Sequence, residues 1–140
     1  MNRIAYTTFT GDLCTIEPDG SDPRKLTSVS SLDDHSYNLF ENIQLPHSRY
    51  TWPTWSPDGK ALAISRINTD NSYSLHSIDI ATNNVATIFN NELNTAPVGL
   101  GVPHVMSWSP DGNFLAFLAS TPTSLALHVA SPGTLNQPTL

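Results

Sequence analysis

Cysteine and charge are what this chain has least of. A single cysteine, Cys14, stands in 140 residues, so no disulfide can form within the chain. Only 13% of the residues are charged, and six lysines and arginines against twelve aspartates and glutamates leave a net charge of -6. The basic residues form no patch, Arg24-Lys25 being the one adjacent pair. Nucleic acids and anionic membrane surfaces are held by clustered Lys and Arg, so neither is an expected partner. No apolar run approaches the ~18 residues of a transmembrane helix, and no charged-then-apolar leader precedes the first apolar stretch. Missing too is a G-x-S-x-G nucleophile elbow. Gly99 and Gly101 lack both the pattern and the following helix of a phosphate-cradling loop.

One short phrase occurs twice. Trp55-Ser56-Pro57-Asp58-Gly59 returns about fifty residues later as Trp108-Ser109-Pro110-Asp111-Gly112, which marks a repeat architecture. Each copy leads into an apolar run, Ala61-Leu62-Ala63-Ile64 and Phe114-Leu115-Ala116-Phe117, and Arg3-Ile4-Ala5-Tyr6 matches both. A further strand pattern follows each run: Leu13-Cys14-Thr15-Ile16, Leu75-His76-Ser77-Ile78 and Leu127-His128-Val129-Ala130. Then come turn residues and a last short strand, Arg24-Lys25-Leu26-Thr27 or Val85-Ala86-Thr87-Ile88-Phe89. With one extended stretch ahead of each phrase, at 50–55 and 104–108, the unit has four antiparallel strands, the blade of an all-β propeller.

The phrase is turn chemistry. Pro57 and Pro110 preset φ for the first corner, Asp58 and Asp111 bond nearby amides, and Gly59 and Gly112 supply the left-handed residue that closes the turn. Trp55 and Trp108 end the strand before it, where a large ring fills the space between blades; a fully buried ring would be worth roughly 3–5 kcal/mol. The chain resembles the TolB-type (PD40, WD40-like) propeller repeat, on these two phrases and on Pro18-Asp19-Gly20-Ser21-Asp22-Pro23-Arg24-Lys25-Leu26-Thr27. Family propellers usually close with six or seven blades, whereas this chain holds just under three. Blade one spans about 2–27 and lacks its inner strand; blade two spans about 50–89, and blade three about 104–140, with Pro138 inside its last strand. The resemblance implies a periplasmic or other extracytoplasmic setting; the missing leader fits either a cytoplasmic protein or a piece of a longer one.

Insertions at 28–49 and 90–103 join the outer strand of one blade to the inner strand of the next. In an up-and-down sheet both emerge at one end, together with the loop at 66–72, and long loops on a rigid scaffold are where binding residues gather. The candidate contact residues are His35, Tyr37, Phe40 and His47 of the first insertion, with Tyr50, Trp52 and His104 on the inner strands. The alternative for Tyr37, Leu39 and Phe40 is a helical turn capping the blade seam. His76, His128 and Cys14 occupy equivalent positions in successive blades. Packed sheets lie about 10 Å apart, too far for three such residues to share one metal, so they read as strand residues. His35, His47 and His104 share the loop end, yet no metal site and no cofactor is expected; Asn68, Asp70 and Asn71 are too few acids for calcium.

The reading that results is a non-catalytic scaffold holding a protein or small ligand at its loop-rich end. The alternative is the propeller part of an enzyme, either the gating domain of a prolyl-oligopeptidase-like peptidase or a metal-dependent lyase-like propeller. Because three blades leave sheet surface uncovered, either a second copy or the remainder of a longer chain is expected to complete the propeller.

Overall fold

The computed structural model describes residues 2–28, 35–37, 44–46, 48–68, 72–91, 102–120 and 124–132, with 35–37 and 44–46 as backbone. Every regular element among them is a strand. Sheet one is β1 (Ile4–Thr7), β2 (Leu13–Ile16) and β3 (Arg24–Lys25), in that spatial order. A hairpin of β4 (His35–Tyr37) and β5 (Gln44–Pro46) follows. Sheet two is β6 (Arg49–Trp55), β7 (Ala61–Ile67), β8 (Tyr73–Asp79) and β9 (Val85–Asn91), again in chain order. Sheet three is β10 (His104–Trp108), β11 (Leu115–Ser120) and β12 (Leu125–Ala130). All pairings are antiparallel.

Two seams hold the sheets face to face. In the first, Leu13 of sheet one meets Leu62, Ile64 and Ile78 of sheet two, all fully buried, with Trp55 and Tyr50 packed at the margin. In the second, Ala63 and Leu75 of sheet two meet Leu115, Phe117, Ala119 and Ala130 of sheet three, with Phe89, Met106 and Trp108 alongside. The run Leu62-Ala63-Ile64-Ser65 is buried on successive residues because alternate side chains enter opposite seams. Both tryptophans are half-buried rather than enclosed, so the full-burial figure of ~3–5 kcal/mol overstates their share. Trp108 nonetheless crosses a seam, its Nε1 donating to the Thr54 carbonyl at 3.2 Å.

The repeated turns are built alike. Gly59 N donates to Ser56 O and Gly112 N to Ser109 O, both at 2.9 Å. Asp58 Oδ1 accepts from the Ser56 hydroxyl at 2.6 Å and from Lys60 N at 3.0 Å. Asp111 Oδ1 accepts from the Ser109 hydroxyl and from Asn113 N. Those hydroxyl and amide donors favour the ionised carboxylates and lower the pKa of both aspartates.

The fold departs from the sequence reading in three places. Residues 35–37 are extended and paired with 44–46, so Tyr37 sits in a strand and not in a helical turn; Leu39 and Phe40 lie outside the described residues. Strand β7 runs on through Arg66 and Ile67, the start of the loop expected at 66–72, because Arg66 pairs with both Tyr50 and Ser74. Its neighbour β9 likewise extends to Asn91, whose Nδ2 donates to Ser120 O at 3.0 Å across the second seam. The expected last strand of blade three falls outside the described residues.

Sheets one and two are further locked at Gly11. Its carbonyl accepts from Tyr50 N at 2.9 Å, its φ is 84°, and a Cβ there would stand 2.6 Å from Arg49 Cβ and 2.9 Å from Arg49 Cα. Gly20 has nearly the same φ, 85°, with open space around it. Gly20→Ala is therefore expected to cost about 1 kcal/mol for its left-handed backbone alone. Gly11→Ala should cost at least twice that, because backbone must move as well, and urea denaturation of the two variants checks the difference.

Candidate functional site

The innermost strands of sheets two and three carry the same irregularity. Thr51 pairs with Ser65 and Thr54 with Ala63, so Trp52 and Pro53 together oppose Ile64. His104 pairs with Leu118 and Ser107 with Ala116, so Val105 and Met106 together oppose Phe117. These are equivalent positions of the repeat, each three residues before its tryptophan. At both bulges the first residue is left-handed: Trp52 has φ 54° and Val105 has φ 52°. Neither an aromatic nor a β-branched residue adopts that region by preference, and strain of this kind costs of order 1–3 kcal/mol. Both side chains are exposed, Trp52 at 49% and Val105 at 70%.

The two bulges meet across the second seam. The Trp52 ring lies 5.8 Å from the His104 ring, tilted by 49°. His104 is half-buried and its Nδ1–H donates to the Val102 carbonyl at 2.7 Å, which fixes the tautomer and leaves Nε2 as a hydrogen-bond acceptor. The result is an exposed, strained indole with one imidazole acceptor beside it, and an exposed, strained valine next to that histidine in the chain. Trp52 is the middle residue of β6, and His104 is the first of β10.

Of the residues proposed from sequence, the structure brings together Trp52 and His104. Tyr50 goes elsewhere. A bulge shifts the side-chain alternation by one, so Tyr50 and Trp55, five residues apart, share a face. Tyr50 packs in the first seam, with Arg66 over its ring at 5.6 Å and His76 at its edge, centroids 6.2 Å apart. His35 and Tyr37 belong to β4, of which only the backbone is described; Phe40 and His47 lie outside the described residues, as do Asp70 and Asn71. Val105 falls within the extended stretch at 104–108 without being a candidate contact residue. Pro53 inside a strand was the signal for a bulge, since proline donates no hydrogen bond to a ladder.

Other polar constellations are enclosed. Ser74 Oγ lies 2.8 Å from His76 Nε2, the spacing of a nucleophile and its base, and the Thr87 hydroxyl lies 3.3 Å from Nδ1. Both Ser74 and His76 are buried, so no substrate reaches them. Burial, with the nearby Arg66 charge as a smaller cause, lowers the His76 pKa to about 4. His128 is buried in the second seam, stacked on Phe117 at 5.3 Å and 5.1 Å from Phe89, with no hydrogen-bond partner at either ring nitrogen. With Cys14 these residues sit on equivalent faces of three different sheets, apart from one another. A cleft of about 350 Å³ between sheets one and two is lined by Arg3, Arg24 and Lys25. Each of these cations is already paired: Arg3 with Glu17 and Asp22, Arg24 with Asp22, Lys25 with Asp12. Among the described residues no three of His, Cys, Asp and Glu are grouped as metal ligands, and no helix is long and apolar enough to cross a membrane.

No family model and no curated protein matches the chain. Solved structures do. TolB from Acinetobacter baumannii superposes with a TM-score of 0.68 at 20% identity, over 98% of this chain and 30% of that one. A TolB from Agrobacterium tumefaciens gives 0.63 at 19% identity, over 97% and 40%. The fold is that of a TolB-like β-propeller. Prolyl endopeptidases are also similar, with a TM-score of 0.52 at 13% identity over 99% of this chain and 22% of that one. The TolB-like chain thus spans well under half the length of the structures it matches, and at these identities the likeness speaks for fold alone.

Because His76 is held neutral, the unfolded chain takes up a proton near pH 6.5 that the folded chain refuses until about pH 4. Stability is therefore full above pH 6.5 and falls as pH drops from 6.5 towards 4, by about 3 kcal/mol in all. His76→Gln is expected to flatten that slope, as measured by urea midpoints between pH 4 and pH 7.5.

Proposed function

We propose that the chain is a non-catalytic TolB-like propeller scaffold that binds an extended protein segment or small ligand at its loop-rich end. The observation that carries this reading is the pair of equivalent bulges, which hold Trp52 and Val105 exposed in a left-handed conformation beside His104. Strained backbone persists only where the surroundings enforce it, and such outliers collect at ligand-contact sites. An exposed indole beside an imidazole suits an apolar or aromatic group of a partner. His104 Nε2 would accept one hydrogen bond from that partner and so set its orientation. The insertion carrying His35, Tyr37, Phe40 and His47 feeds directly into β6, and in this reading it extends the same contact surface. The prolyl endopeptidase likeness admits a gating role as a second reading; it rests on shared architecture, and no described residue favours it over the first.

Peptides selected from a displayed library against the immobilised chain provide the probe. Trp52→Ser is expected to weaken their binding by about 2 kcal/mol, roughly 30-fold, with the melting temperature unchanged, since the ring is half exposed. Unaltered affinity would remove the inner-strand platform as the binding surface. Val105→Gly separates strain from fold: it should raise stability by about 1 kcal/mol by relieving the positive φ, while weakening the same peptides.

A further inference from the structure

One transverse row of residues crosses the whole of sheet two: Tyr50 pairs with Arg66, Arg66 with Ser74, and Ser74 with Asn90. By alternation along β7, Arg66 shares its face with Leu62 and Ile64, which fill the first seam. The seam is thus apolar at those two positions and polar at this row. The repeat supplies a comparison. Counted from the two Trp-Ser-Pro-Asp-Gly phrases, Leu62, Ile64 and Arg66 correspond to Leu115, Phe117 and Ala119. Ser74 corresponds to Ala126, since Arg66 pairs with Ser74 as Ala119 pairs with Ala126. Ala119 is fully buried in the second seam. A blade of this chain therefore closes the position with alanine, and the arginine is no requirement of the fold.

The charge of Arg66 is not neutralised among the described residues. Arg3, Arg24 and Lys25 are taken up in ion pairs. Arg49, Lys60 and Arg66 have no carboxylate within ion-pair distance; the first two are exposed to water, whereas Arg66 is half-buried. Its Nε is buried without a hydrogen-bond partner. Its Nη2 reaches Ser48 Oγ at 3.4 Å, beyond the usual span of such a bond. Buried polar groups are almost always satisfied, so a guanidinium left in this condition calls for a missing partner. His76, one row nearer the seam centre, adds no second positive charge, because burial lowers its pKa to about 4.

We propose that Arg66 anchors a second binding site, for the carboxylate group of a small organic acid. The Nη1 and Nη2 end of a guanidinium offers parallel N–H donors that match the two oxygens of a carboxylate. The Ser48 hydroxyl, an acceptor towards Arg66, keeps its own proton to donate as a third contact. The Tyr50 ring, 5.6 Å from the guanidinium carbon, holds the fork from below. One fixed cation matches one negative charge. The chain's net charge of -6 opposes the approach of an acidic protein more than that of a small monoanion. This site lies in the first seam and uses neither Trp52 nor His104, so the two sites stand or fall separately.

The probe is acetate, exchanged for chloride at constant ionic strength, with the Arg66 Nε–H resonance of the labelled chain as readout. The resonance is expected to shift and saturate with acetate, and to stay in place with acetamide, which has the same shape and no charge. Acetate should also raise the melting temperature, as any ligand of the folded state does, and Arg66→Ala should lose that rise. Circular dichroism is expected to show this variant folded, since Ala119 fills the same position of sheet three. A resonance that acetate leaves unmoved would overturn the proposal, as it would if a carboxylate of the chain itself filled the site. So would an equal response to acetamide, or a rise in melting temperature that Arg66→Ala retains. Tighter binding of inorganic phosphate, or of an acetylated and amidated Ala-Glu-Ala peptide, would overturn the assignment to a small carboxylic acid.

Discussion

Everything in this fold depends on sheets that are apolar on both faces. A strand in such a sheet cannot turn one side to water, so each blade needs a neighbour on either side, and the seam rather than the strand is the unit of stability. Small residues on one face, Ala5 and Ala63, let the bulkier facing side of the next sheet approach, with Leu62, Ile64, Leu115 and Phe117 filling the space. The hydrogen bonds that cross between sheets, from Trp108 to Thr54 and from Asn91 to Ser120, fix orientation at seams whose attraction is hydrophobic.

The inner strands show what that constraint makes possible. Against the second seam the backbone of β6 and β10 is held firmly enough to tolerate a left-handed tryptophan and a left-handed valine. The bulge re-aims the chain, sending Tyr50 and Trp55 into one seam and leaving Trp52 exposed. Structure and candidate site are therefore two results of one irregularity. Other polar groups are absorbed by the scaffold, in the enclosed Ser74–His76 contact, in the ring-lined niche of His128, and in the ion pairs of Arg3 with Glu17 and Asp22.

The strands and repeated turns were legible because their signals are local. Trp-Ser-Pro-Asp-Gly specifies its own hydrogen bonds, and the apolar runs after it need no distant information to be read as buried strands. Trp52 and His104 could be placed on inner strands for the same reason. The sign of φ at Trp52 and Val105 could not be read, because left-handed strain is imposed by the surrounding sheets and no residue type announces it. Tyr50 escaped for a related cause: simple alternation puts residues 50 and 55 on opposite faces, and only the two-against-one pairing reverses that. The hairpin of β4 and β5 went unseen because its strands are three residues each, too short for a periodic pattern to rise above composition.

The middle sheet is covered on both sides, with Leu62 and Ile64 facing one neighbour and Ala63 and Ser65 the other. Coupling in a linear stack runs through nearest neighbours only, so the outer sheets communicate by way of the middle sheet, whose central strands are β7 and β8. Amide protons of those two strands should accordingly be the last to exchange with solvent. Fraying starts from either end of the array and stops there, which makes the four-stranded centre the thermodynamic keystone of the domain.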